Sequence, residues 1–91
     1  MKPYRINPSC IEREVGGRRL IIVYPEAAKP YYLEVNESLF YVFRAARDLG
    51  NFDENDVAEI LEREYGLSDE VAWKEAGATI ALWRQHGLLE T

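Results

Sequence analysis

The sequence predicts an α+β domain in which a three-stranded antiparallel sheet is followed by a three-helix bundle. Three observations lead there. Up to residue 36 the apolar residues fall in short β-branched and aromatic runs, separated by Gly-Gly and by prolines. Beyond residue 36 they recur at helical spacing. Each helical run is also bracketed by a capping residue at its start and a glycine at its end.

The first strand is expected over Ile11-Glu12-Arg13-Glu14-Val15, which alternates apolar and charged before Gly16-Gly17. That dipeptide suits the two positive φ angles of a tight hairpin turn. The second runs from Arg18 to Tyr24, and its middle, Leu20-Ile21-Ile22-Val23, is apolar on both faces as a central strand should be. Pro25 to Pro30 reads as a loop, since proline cannot donate to a ladder. The third strand, Tyr31-Tyr32-Leu33-Glu34-Val35, puts Tyr31, Leu33 and Val35 on one face and Tyr32 and Glu34 on the other. In a meander it lies at an edge.

Asn36 is a good N-cap for a first helix over about 37–49, in which Leu39, Phe40, Phe43, Ala46 and Leu49 form the apolar stripe until Gly50-Asn51. Asp53 caps a second helix carrying Val57, Ile60, Leu61 and Tyr65 and ending at Gly66. Ser68-Asp69-Glu70 opens the third and longest, which is expected to bury Ala72, Trp73, Ala76, Ile80 and Trp83 and to end at His86-Gly87. Leu88-Leu89 should then fold back onto the core. With 91 residues and neither an internal repeat nor a linker, residues 1–91 read as one domain with one core.

Composition narrows the function classes. Apolar residues make up 47% and charged residues 30%, a globular balance. No apolar run is long enough for a membrane span and the start lacks the pattern of a signal peptide, so a cytoplasmic location without membrane contact is expected. Cys10 is the only cysteine and His86 the only histidine, and they lie far apart in the chain. Cys10 reads as a bland, partly buried thiol and His86 as a helix-end residue near free carbonyls. Residues 1–36 carry six Lys/Arg against four Asp/Glu, whereas residues 37–91 carry five against twelve. An acidic helical part opposes nucleic-acid binding, which depends on basic residues neutralising phosphates.

Catalysis needs a nucleophile, an acid–base pair or a metal, and the chain has no recognisable constellation for any of them. There is no phosphate-binding glycine loop and no histidine pair for zinc. Asp53, Glu54, Asp56, Glu59, Glu62 and Glu64 spread around a helix without the loop geometry of a calcium site, and read as a solvated face. A protein without cofactor or enzymatic activity is expected.

Two features exceed what folding requires. The third strand carries one charge in five residues, light protection for an exposed sheet edge. Either the N-terminal segment covers that edge, or the edge is free to accept a visiting strand. Gly77 interrupts an otherwise good helix at a cost of about 1 kcal/mol relative to alanine. It lies beside Trp73, Ile80 and Arg84, so it marks a groove, a close helix contact, or a tolerated defect.

The residues Tyr32-Leu33-Glu34-Val35-Asn36 entering a helix, Asp56-Val57-Ala58-Glu59-Ile60-Leu61 through Tyr65, and Ile80, Trp83 and Gly87-Leu88-Leu89 together resemble the PqqD-like domains, also called RiPP recognition elements. The resemblance spans roughly residues 11–90. It departs from the family in having Glu37-Ser38 where a Thr-Gly or Thr-Ala pair is common, and Gly50-Asn51-Phe52-Asp53 before the second helix. What it implies is a winged-helix-like fold and a peptide-binding adaptor, or chaperone, of peptide-modification biosynthesis. The leader peptide of a ribosomally made precursor would join the sheet as an extra antiparallel strand. Tyr31, Tyr32, Leu33, Glu34 and Val35 would supply the ladder, and Trp73, Gly77, Ile80 and Arg84 the opposite wall, with Arg84 available to an acidic leader residue. The partner would be a separate modifying enzyme of the radical S-adenosylmethionine, peptidase or cyclase type. The alternatives are a winged-helix DNA-binding protein, whose third helix should be basic, and a general protein–protein interaction module. An open edge strand can also make a homodimer.

Overall fold

The computed structural model describes residues 2–90. The chain forms β1 (Tyr4–Arg5), β2 (Cys10–Val15), β3 (Arg18–Val23) and β4 (Tyr31–Val35), then α1 (Glu37–Leu49), β5 (Asn51–Phe52), α2 (Glu54–Tyr65) and α3 (Asp69–Gln85). This is α+β, with the antiparallel sheet β2-β3-β4 ahead of the three helices. Among the described residues no helix is long and apolar enough to cross a membrane.

Local chemistry sets the boundaries. Gly16 and Gly17 have φ of 57° and 79°, so both central positions of the β2–β3 turn are left-handed and Val15 pairs with Arg18 across it. The Asn36 side chain accepts from Leu39 N–H at 2.8 Å, and Asp53 and Asp56 form a reciprocal capping box at the start of α2. Gly50 and Gly66 close α1 and α2 with positive φ.

The core gathers around Trp83, 1% exposed, with Phe43 and Phe52 each packed edge-to-face at 5.9 Å. Ile21 and Val23 of β3, Val57 and Ile60 of α2, and the returning Leu88 and Leu89 complete it. Trp73 does not join them. It is 48% exposed, because it lies at the margin of the face defined by Ala72, Ala76 and Trp83. Leu49 and Tyr65 are likewise exposed rather than in their helices' buried stripes.

Strand β2 reverses the facing its alternation suggests. Ile11 and Val15 point to the open face of the sheet and are exposed, whereas Cys10 is buried and Glu12 faces the helices. Glu12 is tolerated there because Arg44 and Arg47 of α1 both engage it. The central strand is therefore buried on one face only: Ile21 and Val23 are covered, and Leu20 and Ile22 are half-exposed.

β1 and β5, which the sequence pattern does not signal, form a separate two-stranded ladder with Tyr4 opposite Phe52. Beside it, Ile6 bridges Leu89, Asn7 N–H donates to Leu88 O at 2.8 Å and Glu90 N–H donates to Arg5 O at 2.8 Å. The N-terminal segment is thus held between β5 and the C-terminal residues. Among the described residues it forms no ladder with β4.

Candidate functional site

Strand β4 has β3 on one side and, among the described residues, no strand on the other. Its inner face is Tyr31, Leu33 and Val35, opposite Val23, Ile21 and Arg19, and its outer face is Tyr32 and Glu34. Leu33 and Val35 pack against the core and remain half-exposed. Tyr32 is 57% exposed. Glu34 bonds Arg18 of the neighbouring strand at 2.9 Å, which holds its carboxyl below the ordinary range and raises Arg18. This pair occupies the outer face and leaves the free edge uncharged.

The two ends of β4 are anchored differently. At its start, the Tyr31 hydroxyl donates to the His86 carbonyl at 2.6 Å. The next residue, Gly87, has φ of +75°, and a Cβ there would stand 2.7 Å from the Tyr31 hydroxyl. At the other end of β4, Asn36 and α1 border a cavity of about 450 Å³ whose opposite side is α3, through Val71, Glu75 and Thr79. Leu39, Val42 and Leu61 supply part of its apolar lining. Strand and helix therefore run antiparallel, with Tyr31 beside His86 at one end and Asn36 across the cavity from Val71, Glu75 and Thr79 at the other.

This geometry divides the sequence-predicted residues. Tyr31, Leu33 and Val35 face inward along the free edge, and Tyr32 and Glu34 face outward. On α3, at about 100° per residue, Trp73, Gly77 and Arg84 lie about half a turn from Val71, Glu75 and Thr79. Arg84 sits over the ring of Tyr4 at 5.4 Å, beside β1. Ile80 is 4% exposed and belongs to the core. Gly77 is on the surface, and a Cβ built there meets nothing within 4 Å, so it neither lowers the helix for a neighbour nor shapes the cavity.

The α3 margin that lines the cavity carries Val71, Glu75 and Thr79, with Ala78 and Leu82 beside them at helical spacing, and Val71 and Leu82 are exposed apolar residues. Its spacing was visible in the sequence. Which margin of the helix faces the cavity was not.

Scanned against protein-family models, curated proteins and solved structures, the chain finds no match.

A shallow apolar depression of about 120 Å³ lies against Leu20, Ile22, Pro30, Tyr31 and Tyr32, at the start of β4. A more polar cleft of about 280 Å³ lies between the β2–β3 hairpin and α1, with Arg19 held by Glu14 and Glu37 at its wall. The larger cavity lies among α1, α2 and α3, and Asn36, the residue that follows β4, brings its rim to the end of the unpaired edge.

Proposed function

We propose that this domain is a non-catalytic adaptor that takes up a peptide as an additional antiparallel strand on β4, with α3 as the second wall. One observation carries the reading: the edge of β4 has no partner strand among the described residues, and a cavity opens where that strand ends. Backbone hydrogen bonds along such an edge supply affinity, and pockets for alternate side chains supply selectivity. The half-exposed Leu33 and Val35 would gain cover from the guest, and burial of apolar surface favours its docking.

The resemblance to PqqD-like domains supports, as the guest, the leader peptide of a ribosomally made precursor, bound in the cytoplasm and presented to a separate modifying enzyme. The domain would act by raising the effective concentration of the precursor's core segment at that enzyme. Its own side chains would perform no chemistry. The second wall is reassigned from Trp73, Gly77, Ile80 and Arg84 to the margin Val71, Glu75, Thr79 and Leu82, which lies on the cavity side.

The test is a titration of isotopically labelled protein with a candidate leader peptide, with duplex DNA in parallel. Saturable backbone amide shifts at 31–35 and 71–82 with peptide are expected. Saturable DNA binding without a peptide response would overturn the proposal, and peptide shifts confined to α2 would displace the site.

A further inference from the structure

We infer that the groove selects a peptide carrying a bulky apolar residue followed, two positions later, by lysine or arginine. The inference rests on the proposed strand addition and adds the chemistry of the guest.

The anchor comes from the cavity. Leu39, Val42, Leu61, Leu67 and Val71 line it, so a bulky aliphatic or aromatic side chain is its natural occupant. The charge comes from Glu75, the only charged side chain in the lining. Among the described residues no Lys or Arg forms an ion pair with it, and Arg19 and Arg44, which line the neighbouring cleft, are engaged by Glu14, Glu37 and Glu12. The N-terminus of α1 brings a partial positive charge to the same rim. That charge is offset, since the Asn36 side chain already accepts from Leu39 N–H and Glu37 stands in the first turn. The rim is therefore net anionic, and Arg84, the cation expected to meet an acidic guest, lies on the other margin of the helix over Tyr4.

The order of the two residues follows from topology. Because β4 and α3 run antiparallel, a guest antiparallel to β4 runs in the direction of α3 and passes Val71 before Glu75. Val71 and Glu75 are about one helical turn apart, roughly 5–6 Å, and same-face residues of a strand are about 6.5–7 Å apart. A guest side chain placed by Val71 thus has its next same-face neighbour by Glu75.

The experiment uses three short strand-forming peptides that differ only at the second residue after a leucine, where they carry lysine, glutamine or glutamate. Each is titrated into the wild-type protein, Glu75→Gln and Glu75→Lys, following amide shifts on β4. The lysine peptide is expected to bind the wild type about tenfold more tightly than the glutamate peptide, with the preference abolished in Glu75→Gln and inverted in Glu75→Lys. Equal binding of all three peptides at β4, or a preference that ignores Glu75, overturns the charge rule and leaves strand addition standing. Absence of any β4 shift with every peptide removes both.

Discussion

The Tyr31 hydroxyl donates to the His86 carbonyl across the start of β4 and the end of α3, fixing the distance between the free strand edge and the helix beside it. Gly87 makes the contact possible, because any side chain at that position meets the same hydroxyl. Tyr31→Phe should cost about 0.5–1.5 kcal/mol, the usual net worth of one hydrogen bond. Gly87→Ala should cost at least about 1–2 kcal/mol for the left-handed backbone alone, plus the clash with Tyr31. Urea unfolding of both single variants and the double variant should show the double losing less than the sum, because removing the hydroxyl also relieves the clash. Additive losses would mean that the two residues do not meet.

Gly77 gives a prediction of the opposite sign. Its helical position is open on the surface, so Gly77→Ala should raise stability by about 0.8–1 kcal/mol through helix propensity. Peptide binding should be unchanged, since the cavity lies on the other margin. Weakened binding in this variant would return Gly77 to the groove wall.

Acid sensitivity should trace to Asp56. Its partial burial works to raise the carboxyl, but the Lys2 side chain and the Asp53 backbone N–H, both donating to it at 3.0 Å, outweigh that and hold it below its ordinary 3.8. A group depressed in the folded state contributes fully above its unfolded value and loses that contribution as pH falls through the folded one. Stability should therefore decline from about pH 4 downward, and Asp56→Asn should flatten this part of the curve. Parallel slopes for the two proteins in urea melts across this range would contradict the assignment.

Burial pushes the Cys10 thiol up to about 11, and no side-chain donor or cation offsets it. At pH 8 only about one thiol in a thousand is ionised, so a thiol-directed reagent should label native protein very slowly. Labelling should accelerate sharply in urea. Fast labelling of the native protein would show that the Cys10 end of β2 opens locally.

Much of this architecture is written in short-range chemistry. The double glycine at 16–17 and the caps Asn36, Asp53 and Ser68 each act within a few residues, so they can be read without knowing what packs nearby. The facing of β2 cannot. Alternation establishes a period of two but not which set points inward, and here Arg44 and Arg47, more than thirty positions away, admit Glu12 to the covered face. Trp73 illustrates the same limit on a helix, where a residue next to Ala72 can fall on either side of the burial boundary.

The candidate site shows both cases. Tyr31–Val35 is legible as a half-buried edge from its own pattern, while its freedom depends on where the N-terminal segment goes. That segment is drawn to Phe52 and Leu89, through ladders too short to leave a periodic signal. The flank of α3 that lines the cavity is a question of chain path that the spacing of Val71, Glu75 and Thr79 does not answer alone.

The pairing of residues 5–7 with residues 88–90 has a practical corollary for anything covalently joined to the domain. Both tethers would depart from one place, near Tyr4 and Arg84, on the flank of α3 turned away from the cavity. A host protein could carry the domain on a single stalk or as a cassette inserted in a surface loop, with the cavity still facing outward.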